Sequence, residues 1–136
     1  MRQKFEWILY LALAKELLVL TSREQELNTN ENIKEAYYRT IISRAYYAAF
    51  CTARDYLRDT LNLKISKVDA HAFVIIEFKE QRKLKNSHNI SNTLHSLRNY
   101  RNMADYDDIC KIRLDDIAQH AVNESQRIIE LISALP

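Results

Sequence analysis

The chain contains no glycine, and its one proline is the last residue, Pro136. Tight hairpins and phosphate-cradling loops need glycine because they place the backbone at dihedral angles that other residues avoid. The sequence therefore excludes a P-loop and a Gly-x-Gly-x-x-Gly dinucleotide fingerprint. Alternating strand patterns bounded by turn residues are also missing, whereas Leu, Ala, Glu, Lys and Arg are abundant. We expect an all-α fold.

Length and composition predict one domain over residues 1–136. The 136 residues are 47% hydrophobic and 28% charged, which is enough apolar mass for a single core. The net charge of +2 gives no general argument for nucleic acid. Cys51 and Cys110 lie far apart and predict neither a zinc site nor a disulfide framework. The apolar stretch 7–20 is too short to span a membrane and too polar for a signal peptide, so we expect a cytoplasmic protein.

Apolar residues recur every three to four positions in five segments, which predicts an up-and-down bundle of four to five helices. The predicted helices are 2–20, 31–61, 69–81, 91 or 92 to 104, and 111–135. The second is long enough to cross a small domain, and we expect it to be the central helix. The first is expected to bury its periodic apolar residues, namely Phe5, Ile8, Leu9, Ala12, Leu13, Leu17 and Leu20.

Polar segments separate the predicted helices. Residues 21–30 are expected to form a connector, with Asn30 as the N-cap of the second helix. Asp69 is the expected cap of the third helix, and Ser91 or Asn92 that of the fourth. The basic segment 81–89 is expected to be a mobile, solvated loop.

A cluster of polar residues near the end of the fourth helix has the spacing of a single helical face. Arg101, Asn102 and Asp105 follow Arg98 by three, four and seven positions. Two guanidinium groups beside an amide can bind a phosphate through charge-assisted hydrogen bonds, and a carboxylate can orient a hydroxyl or accept a proton. The same spacing also predicts a plain ion pair between Arg101 and Asp105.

Two runs of residues carry a resemblance to a known family. They are Ser-Arg-Ala-Tyr-Tyr-Ala-Ala-Phe at 43–50 and Arg-Asn-Met-Ala-Asp-Tyr at 101–106. Together they resemble the HEPN superfamily, and the chain is most similar to a short prokaryotic branch with an Arg-Asn-x-Ala-Asp-Tyr motif. The resemblance covers nearly the whole chain.

The resemblance implies a bundle of four or five helices that forms a homodimer, with the motif faces of two subunits meeting in a cleft. Many HEPN proteins are metal-independent ribonucleases, toxins or defence effectors, commonly paired with a small nucleotidyltransferase. Arg101 matches the motif arginine, and Asn102 matches the polar residue that follows it. Tyr106 matches the terminal tyrosine, which in some paired systems is the residue that the nucleotidyltransferase modifies.

The sequence departs from the catalytic motif because no histidine follows Arg101 within four to six residues, and Asp105 stands close to that position. Metal-free RNA cleavage moves protons near neutral pH, which suits imidazole with a pKa of about 6.5 better than a carboxyl at about 3.9. We therefore predict weak or absent ribonuclease activity, with Arg101, Asn102 and Asp105 as the candidate catalytic residues. Phosphate or RNA binding by Arg98 and Arg101 is expected to survive the substitution.

Four histidines show no metal-binding spacing, and no cofactor motif is present. His95 lies three residues before Arg98 on the same helix, so it is a candidate to border the cleft, with a solvated surface position as the alternative.

Tyr46, Tyr47 and Phe50 are expected at the dimer interface, with core packing as the alternative. The first functional hypothesis is a defence or toxin–antitoxin component that engages RNA or a nucleotide at the dimer cleft. The alternative is a non-catalytic module that docks a partner, such as a small nucleotidyltransferase.

Overall fold

The computed structural model describes residues 3–24 and 31–136, and every regular element in those ranges is helical. The elements are α1 (Ile8–Glu24), α2 (Glu31–Asp55) with a π-helical turn at Tyr56–Thr60, α3 (Ala70–Glu80), α4 (Ser87–Tyr106) and α5 (Leu114–Ser133). The predicted all-α bundle is confirmed. In these ranges no helix is long and apolar enough to cross a membrane.

Helix α2 is the central element, as predicted, since it packs against α1, α3, α4 and α5. Its small residues Ala45, Ala48, Ala49 and Ala53 are completely buried. Small side chains let neighbouring backbones approach closely. At one such approach the Ser125 hydroxyl of α5 donates a hydrogen bond of 2.7 Å to the carbonyl of Ala45.

The first helix differs from its prediction in both position and orientation. It begins at Ile8 and continues to Glu24, so Thr21 belongs to the helix rather than to a connector. The Thr21 hydroxyl donates a hydrogen bond of 2.7 Å to the carbonyl of Leu17, so this polar side chain is satisfied within the helix. The predicted cap Asn30 lies outside the described residues.

The expected buried face of α1 is largely its exposed face. The core residues of this helix include Leu11 and Ala14, at 2% and 0% exposure. Five residues of the predicted inner face are 41–50% exposed, namely Phe5, Ile8, Leu9, Leu13 and Leu20. Because α1 is apolar on more than one side, its periodicity did not determine which side packs on α2.

The start of α4 was also predicted wrongly. The helix begins at Ser87 after Asn86, whose left-handed φ of 63° turns the chain. Ser91 does not cap the helix, because its hydroxyl donates to the carbonyl of Ile75 in α3 at 2.7 Å. The predicted cap of α3 is confirmed, since Asp69 Oδ1 accepts from the backbone N–H of Ala72 at 3.0 Å.

The burial of α5 predicts a large effect of core truncation. Ile128 is completely buried, so Ile128→Ala is expected to lower the free energy of unfolding by about 2–5 kcal/mol through lost apolar burial and a residual cavity. Urea unfolding monitored by circular dichroism measures this change. The matched control Ile109→Ala removes the same atoms from a side chain in a residue that is 78% exposed, and should change stability by less than about 0.5 kcal/mol. Equal effects of the two variants would contradict the assignment of α5 to the core.

Candidate functional site

Arg101 is a buried cation between α4 and α2. Its Nη2 donates a hydrogen bond to the Tyr47 hydroxyl, and its Nη1 donates to Asn102 Oδ1 at 2.8 Å. Burial works to lower the pKa of Arg101, but the Tyr47 hydrogen bond and the nearby Asp105 carboxylate outweigh it and keep the pKa above its ordinary value. The guanidinium is therefore charged and held in one orientation.

Asp105 forms the ion pair with Arg101 that its spacing predicted. Its Oδ2 lies 3.1 Å from Arg101 Nε and also accepts a hydrogen bond of 3.2 Å from the Ser43 hydroxyl of α2. One carboxylate oxygen thus contacts side chains from both α4 and α2. The arrangement suits Asp105 to holding Arg101 in position.

A cavity of about 320 Å³ opens beside Arg101 where α1, α2 and α4 meet. We call it the arginine–aromatic cleft. It is lined by Trp7, Tyr10, Arg44, Tyr47, Phe50, Cys51, Arg54, Arg101, Asp105 and Tyr106. Three arginines face one carboxylate, so the lining carries an excess of positive charge.

The other two arginines of the cleft lie against aromatic rings. The Arg44 guanidinium carbon is 4.7 Å from the ring centre of Tyr10 and 5.0 Å from that of Tyr47. The Arg54 guanidinium carbon is 5.2 Å from the ring centre of Trp7. Such contacts restrain a guanidinium, and in Arg44 they leave N–H groups at its edge available for an anion. Arg54 differs because its Nε and Nη2 donate to Asp55 Oδ1 at 3.1 and 2.9 Å.

Tyr106 forms part of the rim of the cleft. It is 69% exposed, and its ring centre lies 5.6 Å from the guanidinium carbon of Arg101.

Of the three aromatic residues expected at a dimer interface, two are inside the protomer. Tyr46 is 0% exposed and Phe50 is 4% exposed. Their rings pack in the core because they lie on the side of α2 that faces the bundle. Of the three, only Tyr47 keeps a partly exposed side chain, so it is the one for which a place at a dimer interface is still expected.

Sequence reasoning missed His71, which α3 brings beside the α4 arginines. Its Nδ1 lies 2.6 Å from the Tyr46 hydroxyl, and its ring stacks on Phe50 with centres 4.2 Å apart. Burial, followed by the positive charges of Arg101 and Arg98, lowers the pKa of His71. Thirty positions separate His71 from Arg101, so no spacing within one helix could have linked them.

His95, the histidine singled out from the sequence, is exposed on α4 and does not line the arginine–aromatic cleft. Its Nε2 lies 3.5 Å from Asn99 Nδ2, at the limit of hydrogen bonding. Arg98 lies towards α3, with Nη2 3.5 Å from Asp69 Oδ1. His71 does not line this cleft either, but it follows by two residues the Asp69 that pairs with Arg98.

The cleft offers no activated thiol nucleophile. Burial raises the pKa of the Cys51 thiol to about 11, so the thiol is protonated at neutral pH. Within 3–24 and 31–136, no group of three or more potential ligands lies together to hold a metal ion.

Comparison with family models identifies a match. The family model described as HEPN domain matches residues 19–135. A nucleotide-related, RNA-related or toxin–antitoxin role fits a HEPN domain, and HEPN domains commonly dimerise and bind RNA. No curated protein and no solved structure matches the chain.

The environment of His71 predicts a pH dependence. We expect its imidazole to titrate below the ordinary pKa of 6.5, so the free energy of unfolding should fall as the pH drops below 6.5 and the unfolded state takes up the proton first. Nuclear magnetic resonance of the ring protons measures this titration. Arg98→Gln removes a positive charge and should raise the pKa, whereas Arg113→Gln, a change in a surface arginine, should not. A wild-type pKa at or above 6.5 would contradict this account.

Proposed function

Because the chain belongs to the HEPN domain family, we propose that it engages RNA or a nucleotide at the arginine–aromatic cleft, as part of a prokaryotic defence or toxin–antitoxin type system. The observation that carries the proposal is the placement of Arg44 against the rings of Tyr10 and Tyr47 beside the buried Arg101. Single-stranded nucleic acid is bound by this combination of cationic groups and aromatic surfaces.

Charge and shape both support a nucleotide ligand. Guanidinium groups bind phosphate oxygens in pairs of hydrogen bonds, and aromatic rings stack on bases of any sequence. Arg101 is held in place before any ligand arrives, so little side-chain entropy is lost when a phosphate binds. The volume of about 320 Å³ lies at the lower end of the range of small-ligand sites, about 300–1,000 Å³.

Cleavage of the bound RNA is proposed to be weak or absent, and independent of metal. Arg101 and Asn102 would position the phosphate, with Asp105 as the remaining candidate for proton transfer. The contact of Asp105 with both Ser43 and Arg101 supports a positioning role instead.

A homodimer through α2 and α4 is part of this proposal. Tyr47 on α2 and Tyr106 on α4 both line the cleft and keep exposed surface. Pairing two copies across these helices would bring two sets of arginines to one groove, which would lengthen the track for a phosphate backbone. Light scattering of the RNA-free and RNA-bound protein measures the stoichiometry.

The proposal predicts that single arginines control RNA affinity. Arg44→Ala and Arg101→Ala should each weaken binding of a labelled single-stranded RNA in EDTA about tenfold or more, and reduce the slope of log affinity against log salt by about one. Arg113→Ala removes an arginine that directly precedes α5 and whose side chain is 77% exposed. Its RNA affinity should stay within about twofold of the wild-type value. Fluorescence anisotropy measures binding, and gel analysis of the same samples detects cleavage.

Both cleft variants must keep the wild-type circular dichroism spectrum for this comparison. Arg44 is the safer of the two because its side chain is partly exposed, whereas Arg101 is buried. Unchanged RNA affinity in folded Arg44→Ala and Arg101→Ala would show that the cleft does not bind RNA.

A second candidate function is docking of a protein partner, favoured by the apolar outer surface of α1. Leu9, Leu13 and Val19 are 50%, 41% and 53% exposed on this one helix. Exposed apolar patches on a small domain are typical of protein interfaces. The partner proposed from the family is a small nucleotidyltransferase, which could also modify the exposed Tyr106.

Docking through α1 predicts variants that separate the two functions. Leu9→Glu and Leu13→Glu place charges on the patch and should weaken a complex with a nucleotidyltransferase encoded beside this protein at least tenfold, without affecting RNA binding. Val68→Glu is the matched control, because Val68 is 98% exposed but lies outside α1. Calorimetric titration of the two purified proteins measures the affinity. A complex as tight with the α1 variants as with the wild type would exclude α1 as the docking surface.

A further inference from the structure

The structure adds His71, which motif analysis did not include, to the hydrogen-bond donors of Arg98 and Arg101. His71 comes from the first turn of α3, and Arg98 and Arg101 come from α4. The His71 ring is held by its stacking on Phe50, by an edge contact with Tyr47 at 6.0 Å, and by the Tyr46 hydroxyl at 2.6 Å from Nδ1. These contacts fix the direction of the imidazole before a ligand binds.

The contact with Tyr46 assigns the tautomer of His71. The Tyr46 hydroxyl is buried, burial raises its pKa, and in the described part of the chain His71 is its one hydrogen-bond partner. A hydroxyl that keeps its proton in the interior must donate it, because an unsatisfied buried donor is costly. Tyr46 therefore donates to Nδ1, so the proton of the neutral ring resides on Nε2. Nε2 has no partner among the described residues, and it is not among their buried unpaired atoms.

The two arginines beside His71 also keep unused donors. Nε of Arg98 is buried without a hydrogen-bond partner, and its Nη2 reaches Asp69 at only 3.5 Å. Nε of Arg101 lies 3.1 Å from Asp105 Oδ2, yet the direction of its N–H does not form a hydrogen bond. Arginine has donors and no acceptor, so the two guanidinium groups cannot satisfy each other's Nε–H groups.

We infer that His71 is a phosphate ligand of this protein, donating its Nε2–H to a phosphate oxygen of RNA or a nucleotide alongside the guanidinium of Arg98. The inference rests on the proposed function, because the ligand is the same RNA or nucleotide. It adds a contact between a phosphate of that ligand and the α3 side of α4. It adds a residue and a chemistry that the Arg-Asn-x-Ala-Asp-Tyr motif does not contain.

A neutral donor fits this position better than a cation. Arg98 and Arg101 on α4 already present two positive charges to the ring, Tyr46 and Tyr47 on α2 are uncharged, and Asp69 before α3 supplies one carboxylate. A third positive charge would be repelled by the arginines, whereas a neutral N–H adds a hydrogen bond without that cost. A bound phosphate would supply negative charge, and should therefore raise the pKa of His71.

The test uses the full chain and the same labelled single-stranded RNA. In the wild type, saturating RNA should raise the pKa of His71, followed by nuclear magnetic resonance of its ring protons. His71→Asn keeps an acceptor for the Tyr46 hydroxyl and removes Nε2, so RNA affinity should fall about tenfold. The matched variant His95→Asn removes an exposed histidine from α4 and should change affinity by less than about twofold.

The outcomes separate this inference from the proposed function. If RNA binds and depends on Arg44 and Arg101, but leaves the pKa of His71 unchanged and binds His71→Asn as tightly as wild type, the inference is overturned and the function stands. If the wild type binds no RNA, both fail. The wild-type titration needs no variant, so a folding defect in His71→Asn does not prevent a decision.

Discussion

The bundle depends on the small-residue surface of α2. Because Ala45, Ala48, Ala49 and Ala53 carry single methyl groups and are completely buried, α2 can be surrounded by other helices at close range. The hydrogen bond from Ser125 to the carbonyl of Ala45 shows how near the α5 side chains come to the α2 backbone. A larger residue in this stripe would push a neighbouring helix outwards, and the contacts that hold the polar site would lengthen with it.

The close packing of α2 and α4 accounts for the properties of Arg101. A buried guanidinium is stable only when its charge and its hydrogen-bond donors are matched. Tyr47 from α2 and Asn102 from α4 accept hydrogen bonds from its two terminal nitrogens, and Asp105, which Ser43 holds, balances its charge. The aromatic part of the cleft has a different origin, because Trp7 and Tyr10 precede residues 19–135, the range that matches the HEPN family model.

Much of the fold could be predicted from sequence, and the errors have physical causes. Period, length and the lack of glycine indicated the helices, and a carboxylate before an apolar run indicated the Asp69 cap. The buried side of α1 could not be predicted, because Leu11 on one face and Leu13 on another are equally apolar and only the fit to α2 distinguishes them. The start of α4 was missed because Asn86 turns the chain without glycine, and because the Ser91 hydroxyl bonds to α3 instead of capping its own helix.

The sequence by itself determined the all-helical class and the shared face of Arg101, Asn102 and Asp105, since residues three or four apart on a helix are neighbours in any fold. Only the tertiary structure decided that Arg44 lies against Tyr10, that Tyr46 is enclosed in the core, and that the His71 ring stacks on Phe50. These contacts join different helices, so they depend on how whole helices pack. That packing is set by the sum of many side-chain volumes, which no local spacing encodes.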